Sequence, residues 1–399
     1  MPQEGHFRRL LPLVHGIVDE GLRTVVFTDR RFEALVEQAG AEFFDLFGSY
    51  PLDGIDDESC PRPLRYVTFA SRYAAEILRD VQELDPSLVV YDMAAVIGRV
   101  VGTSLGIPYV NVCWGHNANP DRLLRDLHTI PGVYVSPQCR DSGETLREQY
   151  GLPDASPFSL IVGLSPYLNV CCEPSAYLTP EERCVFEPAA FYGSLLSPDL
   201  RERAEGIKSV SAFPSDATRR RVYVSFGTIA WRYWPSETLA ATTAIADALG
   251  GMDDVSALIS LGGAEVTPEV YLALAKPNVS VTTWVDQRRV LQEADVFITH
   301  QGPNGTHEAI LHRVPMVSYP FGGDQVGLAE KCRSFGISIP LTNELRGQVA
   351  PNAVRSVLEQ LAREETSVRA RLEEARDWEL ETIAGRGAVN RRIIDLIDR

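Results

Sequence analysis

The stretch Thr299 to Ile310, THQGPNGTHEAI, gathers two His, two Gly, a Pro, an Asn and a Glu within twelve residues. It follows the apolar run DVFI and precedes LHRVPMVSYP, so it marks the exit of a buried strand into a helix. Gly302 permits a close backbone turn, and Pro303 suits the first helical position, where its missing N–H would have no partner. The free N–H groups of that helix start, with the positive end of the helix dipole, suit a phosphate. Asn304 and Glu308 lie four residues apart and share one helix face. A carboxylate repels an anion, so Glu308 suits the hydroxyls of a sugar beside the phosphate. A polar strand-to-helix loop with Glu308 in water is the plainer reading of the same spacing.

The elements that must position these groups alternate along the chain. TVVFT (24–28) reads as a buried strand and RRFEALVEQAG as a helix ending at Gly40. SLVVYD (87–92), the helical MAAVIGRVVGTSLG and the strand PYVNVCW continue the series. The second half repeats the rhythm with RRVYVSFG (220–227), a helix over roughly 236–249, VSALISLG, VSVTTW, the short helix QRRVLQEA and DVFITH. After the opening stretch come PMVSYP, a helix from about 325 to 335, and GISIPL. Strands alternating with helices of this length predict an α/β chain of two doubly wound, parallel-sheet domains facing one cleft, with ligands beyond the carboxyl ends of the strands. The less regular stretch near 195–219 separates them, giving domains over 1–205 and 220–380 with a linker at 206–219. The charged run RARLEEARDWELE (369–381) reads as a solvated helix face.

Composition narrows the class. The 399 residues suffice for about two domains, and 45% hydrophobic with 23% charged residues is ordinary for a soluble globular chain. A net charge of −16 argues against a general nucleic-acid or anionic-membrane binder. The seven Cys include no pair of C-x-x-C motifs and suggest reduced thiols in a cytoplasm. No run of about 18 apolar residues predicts a membrane span, and the start MPQEGHFRR has no signal-peptide pattern. The acidic IDDES (55–59) is better explained as a surface loop than as a metal site.

From Trp284 to Gln325 the segment WVDQRRVLQEADVFITHQGPNGTHEAILHRVPMVSYPFGGDQ resembles the donor-binding signature of family 1 glycosyltransferases. These GT-B enzymes, with two Rossmann-like domains, move a sugar from a nucleotide diphosphate to a small acceptor. The resemblance continues in VYVSFGT and EGHFRRLLPLV and covers most of the chain in order. It implies an acceptor-binding first domain, a donor-binding second domain, and a C-terminal helix, 381–399, packing back on the first. Trp284 would stack on the nucleobase, with Gln287 near the base or ribose; without the resemblance Trp284 reads as a core aromatic. His300, Asn304 and Thr306, at the turn made by Gly302, would hold the diphosphate with Ser225, Gly227 and Thr228. Glu308 would take the ribose hydroxyls, and Asp324 and Gln325 those of the transferred sugar. Gly305 and Pro303 depart from plant members, which usually carry Ser and Trp there, so at Gly305 a side-chain donor to the phosphate gives way to bare backbone.

The resemblance also implies catalysis by His6 in a cleft-facing loop as general base, oriented by Asp92 at the end of SLVVYD, with inversion at the anomeric carbon and no metal or cofactor. Read alone, His6 is a terminal histidine and Asp92 a strand-end acid. Family members begin with an apolar strand leading into this loop, so the expectation is a first sheet lacking its first, central strand because the start is truncated. Glu308 favours UDP over dTDP, and Asp324-Gln325 a hexose such as glucose or N-acetylglucosamine; a dTDP-deoxysugar is the alternative. Phe69, Trp114 and His116 would line a pocket for an aromatic or polyketide-like acceptor, or belong to a surface loop with buried anchors. Other classes left open are a nucleotide-sugar 2-epimerase and a non-catalytic helper. A cytoplasmic monomer or homodimer is expected.

Overall fold

Runs of Val, Ile and Phe without alternation form strands buried on both faces, which is the situation of a parallel sheet covered by helices. A computed structural model of the chain describes residues 4–52, 64–113, 134–153, 156–193, 213 and 219–398. The chain divides into two compact units, Met1–Pro198 with Leu380–Arg399, and Asp199–Glu379.

The first unit holds two parallel sheets. β1 (Val25–Thr28) pairs with β2 (Glu42–Asp45). β3 (Val89–Asp92), β4 (Tyr109–Cys113), β5 (Leu168–Cys171) and β6 (Ala189–Phe191) form a separate sheet in that order. β2, β5 and β6 escape the pattern reading: EFFD carries a charge at each end, and LNVC and AAF are short with one β-branched residue between them. EGH lies not in a loop but in the first turn of helix α1 (Glu4–Asp19). The 3.6-residue spacing of Phe7, Leu10, Leu11, Val14 and Ile17 makes that segment one apolar helical face. α2 (Arg65–Glu83) and α3 (Val96–Leu105) pack on each other within the core that also takes Phe69 and Phe158. The last helix, Arg386–Ile394, belongs to this unit, where Asn390 Nδ2 donates to the Gly16 carbonyl at 3.2 Å.

The second unit is one six-stranded parallel sheet. Its strands are β7 (Arg220–Ser225), β8 (Val255–Ser260), β9 (Val279–Thr282), β10 (Val296–Thr299), β11 (Met316–Ser318) and β12 (Ser338–Pro340), in the order β12-β11-β10-β7-β8-β9. The order reverses between β7 and β10, so the chain leaves these two neighbours toward opposite sides and opens a crevice at their carboxyl ends. α4 (Gln287–Glu293), α5 (Pro303–Leu311) and α6 (Asp324–Ser334) start beside that crevice. No helix among the described residues is long and apolar enough to cross a membrane.

Candidate functional site

Three adjacent strands of the second sheet end on a hydroxyl, with Ser260, Ser225 and Thr299 side by side in register. Each hydroxyl oxygen accepts the backbone N–H two residues on: Gly262 at 3.4 Å, Gly227 at 3.3 Å and Gln301 at 3.1 Å. All three of those residues turn to positive φ, at 59°, 66° and 61°. One local device, a hydroxyl turn, thus ends three strands at one level. A side chain on Gly262 would place its Cβ 2.3 Å from the Gly227 carbonyl oxygen, so two of these loops touch through bare backbone. Gln301 holds the same conformation without being glycine because its side chain is locked. Its Nε2 donates to Thr306 Oγ1 at 3.0 Å and its Oε1 accepts from Ser338 Oγ at 3.1 Å, all fully buried.

His300 stands at the crevice, half-buried between two glycines. A Cβ on Gly302 would lie 2.3 Å from its Nε2, and one on Gly227 2.9 Å from its Cε1. Burial pushes its imidazole down to about 4, against the opposing pull of the Asp324 charge. The ring is therefore neutral at pH 7, with one N–H to donate. Directly after it α5 begins with Gly302 as N-cap and Pro303 at its first position, and no side chain caps the helix start. An uncapped helix start beside a neutral imidazole donor is suited to an anion.

Along the same face the Glu308 carboxylate is held at both oxygens. Gln287 Nε2 donates to Oε2 at 2.8 Å and Arg288 Nε to Oε1 at 3.0 Å. Tyr223 OH in turn donates to Gln287 Oε1 at 3.3 Å, which fixes the amide's orientation. The Trp284 indole is 54% exposed, with Gly263 against its edge. The loop before α6 is pinned from behind: Phe226 packs edge-on to Phe321 at 5.2 Å, and Arg346 donates to the Phe321 carbonyl while lying over the Trp234 ring. That clamp sets the start of α6, where Asp324 is half-buried and Gln325 Oε1 accepts from the Phe321 N–H at 2.8 Å.

The first unit carries a separate acid–base pair. Asp92 ends β3 with its carboxylate buried, where Oδ1 accepts from the Ala94 N–H at 3.1 Å. His6 Nδ1 lies 3.0 Å from Asp92 Oδ2, in a side chain 22% exposed. A carboxylate only accepts, so Nδ1 carries the proton and Nε2 is the nitrogen able to take another. Burial alone would raise the Asp92 carboxyl, but the charge and hydrogen bond of His6, with smaller help from the amino terminus and the Ala94 N–H, bring it down to about 2.

The profile of the UDP-glucoronosyl and UDP-glucosyl transferase family matches residues 211–370, the segment that contains the whole crevice. An NDP-glycosyltransferase of Bacillus subtilis is 26% identical over 355 residues, 86% of this chain and 83% of its own length. The chain is a glycosyltransferase that resembles family 1 enzymes over most of its length. A zeaxanthin glucosyltransferase of Pantoea ananas is 25% identical over 75% of this chain and 71% of its own length. The kitacinnamycin glycotransferase structure superposes with a TM-score of 0.75 at 23% identity, covering 98% of this chain and 96% of its own, and shares the GT-B fold.

The glycosyltransferase brings Ser225, Gly227, His300, Gly302, Asn304 and the start of α5 together at the switch point, and Trp284, Gln287 and Glu308 along one side of it. Thr228 is exposed beside them. Thr306 departs from its expected part at the phosphate. Its N–H and hydroxyl both donate to the Gly302 carbonyl, at 3.0 and 2.9 Å, so the side chain braces the helix start from inside. Gly305 is buried, and a Cβ there would meet Gln287 Nε2 at 3.2 Å, so the missing side chain makes room for the amide that holds Glu308. Phe69 is 2% exposed in the core of the first unit, 5.3 Å from the Tyr73 ring, and lines that unit's apolar cavity. Trp114, His116 and the IDDES cluster lie outside the described residues. Pattern reading missed Arg288, Gln301, Ser260, Trp234 and Arg346. Only Ser260 carried a signal, since VSALIS and RRVYVS both end in Ser.

Proposed function

We propose that this glycosyltransferase moves a hexose from a UDP-sugar to a hydroxyl of a small aromatic or polyketide-like natural product, with inversion and without a metal. His6, whose Nδ1–H is held by buried Asp92, is the observation that carries the reading. Nε2 takes the acceptor hydroxyl proton as the acceptor oxygen bonds to the anomeric carbon. The anomeric carbon–oxygen bond to the β-phosphate breaks on the opposite face, and UDP leaves with that electron pair. Asp92 stabilises the imidazolium that forms. In this reading the α5 start, His300, Asn304 and the β7 loop accept the diphosphate charge in place of a metal ion. Trp284 stacks on the uracil, Glu308 accepts from the ribose hydroxyls, and Asp324 with Gln325 accepts and donates at the sugar. Support for a small natural-product acceptor comes from relatives named for glycosyl transfer to oleandomycin and to zeaxanthin.

A second reading, transfer of a deoxysugar from a dTDP donor, draws on the engagement of both Glu308 oxygens by Gln287 and Arg288, which leaves the carboxylate less free for a diol. The test is incubation of the protein with UDP-glucose, UDP-N-acetylglucosamine or a dTDP-deoxysugar and a panel of phenolic and polyketide alcohols, in EDTA, followed by mass and anomeric analysis. An inverted hexoside from a UDP donor, lost in His6→Ala, supports the first reading. Product from dTDP donors alone selects the second. A requirement for added divalent metal, or a retained anomer, sinks the mechanism.

A further inference from the structure

In the second unit, the turn Glu344–Gly347 is closed by the Gly347 N–H, which donates to the Glu344 carbonyl at 3.0 Å. Its third residue, Arg346, has φ of 54°, and turns with a positive φ at that position favour glycine there. Gly347, the very next residue, does not take a positive φ. The strained conformation thus falls on an arginine one position before a glycine that could adopt it freely. Such strain persists only where the surroundings impose it, and it marks sites where the direction of a side chain matters. Here the Tyr319 hydroxyl donates to the Gly347 carbonyl at 2.9 Å, and Thr342 Oγ1 donates to the Glu344 carbonyl at 2.9 Å. Held in this way, the Arg346 guanidinium lies 5.5 Å from the centroid of the Trp234 ring and donates to the Phe321 carbonyl. The Phe321 N–H donates to Gln325 Oε1 at 2.8 Å, so the backbone of Phe321 is gripped on both sides. Gly322 and Gly323 follow, with φ of 155° and 59°, and lead directly into Asp324. A Cβ on Gly322 would lie 3.5 Å from Trp234 Cζ2 and 3.8 Å from Arg346 Nη1. A link of two glycines has no side chains to fix its dihedrals, so its path is set by the ring and the guanidinium beside it.

We propose that Arg346 is a positioning residue for the transferred sugar. Acting through the Phe321 carbonyl, it fixes the Gly322-Gly323 link and with it the place of Asp324 and Gln325 at the start of α6. It thereby sets the choice between hexoses that differ at one hydroxyl, because a polar pair rejects the wrong epimer only where a misplaced hydroxyl leaves buried partners unpaired. The role holds on the reading of Asp324 and Gln325 as ligands of the sugar.

Arg346→Gly separates the site from the fold, because glycine relaxes the turn while the Phe321 carbonyl loses its partner. The melting midpoint of this variant is expected to stay within about 4 °C of wild type. The Phe321 N–H bonds to Gln325 Oε1 and the Val326 N–H to the Gly323 carbonyl, so both report on the link. Their amide exchange is expected to quicken about tenfold or more. The ratio of kcat/KM for UDP-glucose over UDP-galactose, which differs in the configuration of one hydroxyl, is expected to fall about tenfold, while UDP affinity stays within about twofold. Arg346→Lys, which keeps a cation for the carbonyl but not the planar stack on Trp234, should recover part of the ratio. Unchanged exchange at both amides overturns the proposal whichever nucleotide sugar the enzyme uses. Equal losses of UDP and UDP-glucose binding together with a lowered midpoint likewise overturn it, leaving Arg346 a part in the fold alone. Asp324→Asn tells two failures apart. A ratio that falls in Asp324→Asn but not in Arg346→Gly overturns the positioning role alone, whereas a ratio that falls in neither removes the sugar reading of Asp324 as well.

Discussion

Arg288 Nε lies 3.0 Å from Glu308 Oε1, so the carboxylate proposed to bind ribose is aimed before any nucleotide arrives. Gln287 holds the other oxygen at 2.8 Å, and each oxygen keeps a lone pair for a hydroxyl. Glu308→Ala is expected to weaken UDP at least tenfold, the worth of one charge-assisted hydrogen bond. It should weaken dTDP, which lacks the 2′-hydroxyl, less. Arg288→Ala lets the carboxylate swing and is expected to fall between wild type and Glu308→Ala. Calorimetric titration with both nucleotides checks this. A UDP-to-dTDP affinity ratio unchanged in Glu308→Ala would refute the ribose assignment.

Trp284 is more than half exposed, so its indole does little for the fold and is available to a base. Trp284→Ala is expected to leave the denaturant midpoint unchanged while UDP binding drops about tenfold, since a base stacked on an aromatic is worth about 1–3 kcal/mol. Trp284→Phe should recover part of the loss. Unchanged binding in Trp284→Ala would remove the residue from the site.

Gly262 and Gly323 separate crowding from backbone strain. Both have φ of 59°, but a Cβ on Gly262 meets the Gly227 carbonyl oxygen at 2.3 Å, whereas one on Gly323 meets nothing within 4 Å. Gly323→Ala, at ψ −137° in a region open essentially to glycine, is expected to cost about 1–3 kcal/mol from conformation alone. Gly262→Ala must also push the β7 loop aside, so it should cost several times more and lose UDP binding. Equal midpoint shifts in urea would contradict the contact.

His300 makes stability depend on pH in a defined window. Its ordinary value of 6.5 is lowered to about 4 by burial. Between those values the unfolded chain binds a proton that the folded one refuses, so stability falls as pH drops through the window, by up to about 3 kcal/mol. His300→Asn is expected to flatten the curve of unfolding free energy between pH 6.5 and 4. A slope equal to that of wild type would mean that another group dominates it.

His6 has a structural duty besides its proposed chemical one. Burial would raise the Asp92 carboxyl, but the charge and hydrogen bond of His6, helped by the amino terminus and the Ala94 N–H, take it from 3.8 to about 2. A carboxylate with a lowered value stabilises the fold above its unfolded value and loses that contribution as pH falls through the folded one. His6→Ala is therefore expected to cost about 2 kcal/mol at pH 5, with the difference from wild type shrinking toward pH 2. Denaturant titration at both pH values tests it. Loss of activity in His6→Ala must be read against this, and Asp92→Asn, which removes the charge but not the shape, separates the two roles.

The helix start at Gly302-Pro303 was legible in the sequence because its chemistry is local. A turn residue, a residue without an N–H and the dipole of the following helix act within one another's reach along the chain, whatever the rest of the fold does. The alternation of strands and helices was available in the same way, whereas the pairing of His6 with Asp92 was available only through family likeness. Tertiary structure decided what depends on neighbours far apart in sequence. Gln301 takes a left-handed conformation because Ser338, 37 residues on, locks its side chain. Thr306 turns inward because its hydroxyl donates to the Gly302 carbonyl and accepts from the Gln301 amide. The three hydroxyl turns become one platform only through the register that sets Ser260, Ser225 and Thr299 abreast. The His6 segment is a helix rather than a loop because its apolar face has a core to cover. Spacing along the chain names donors and acceptors; packing decides which of them are already used.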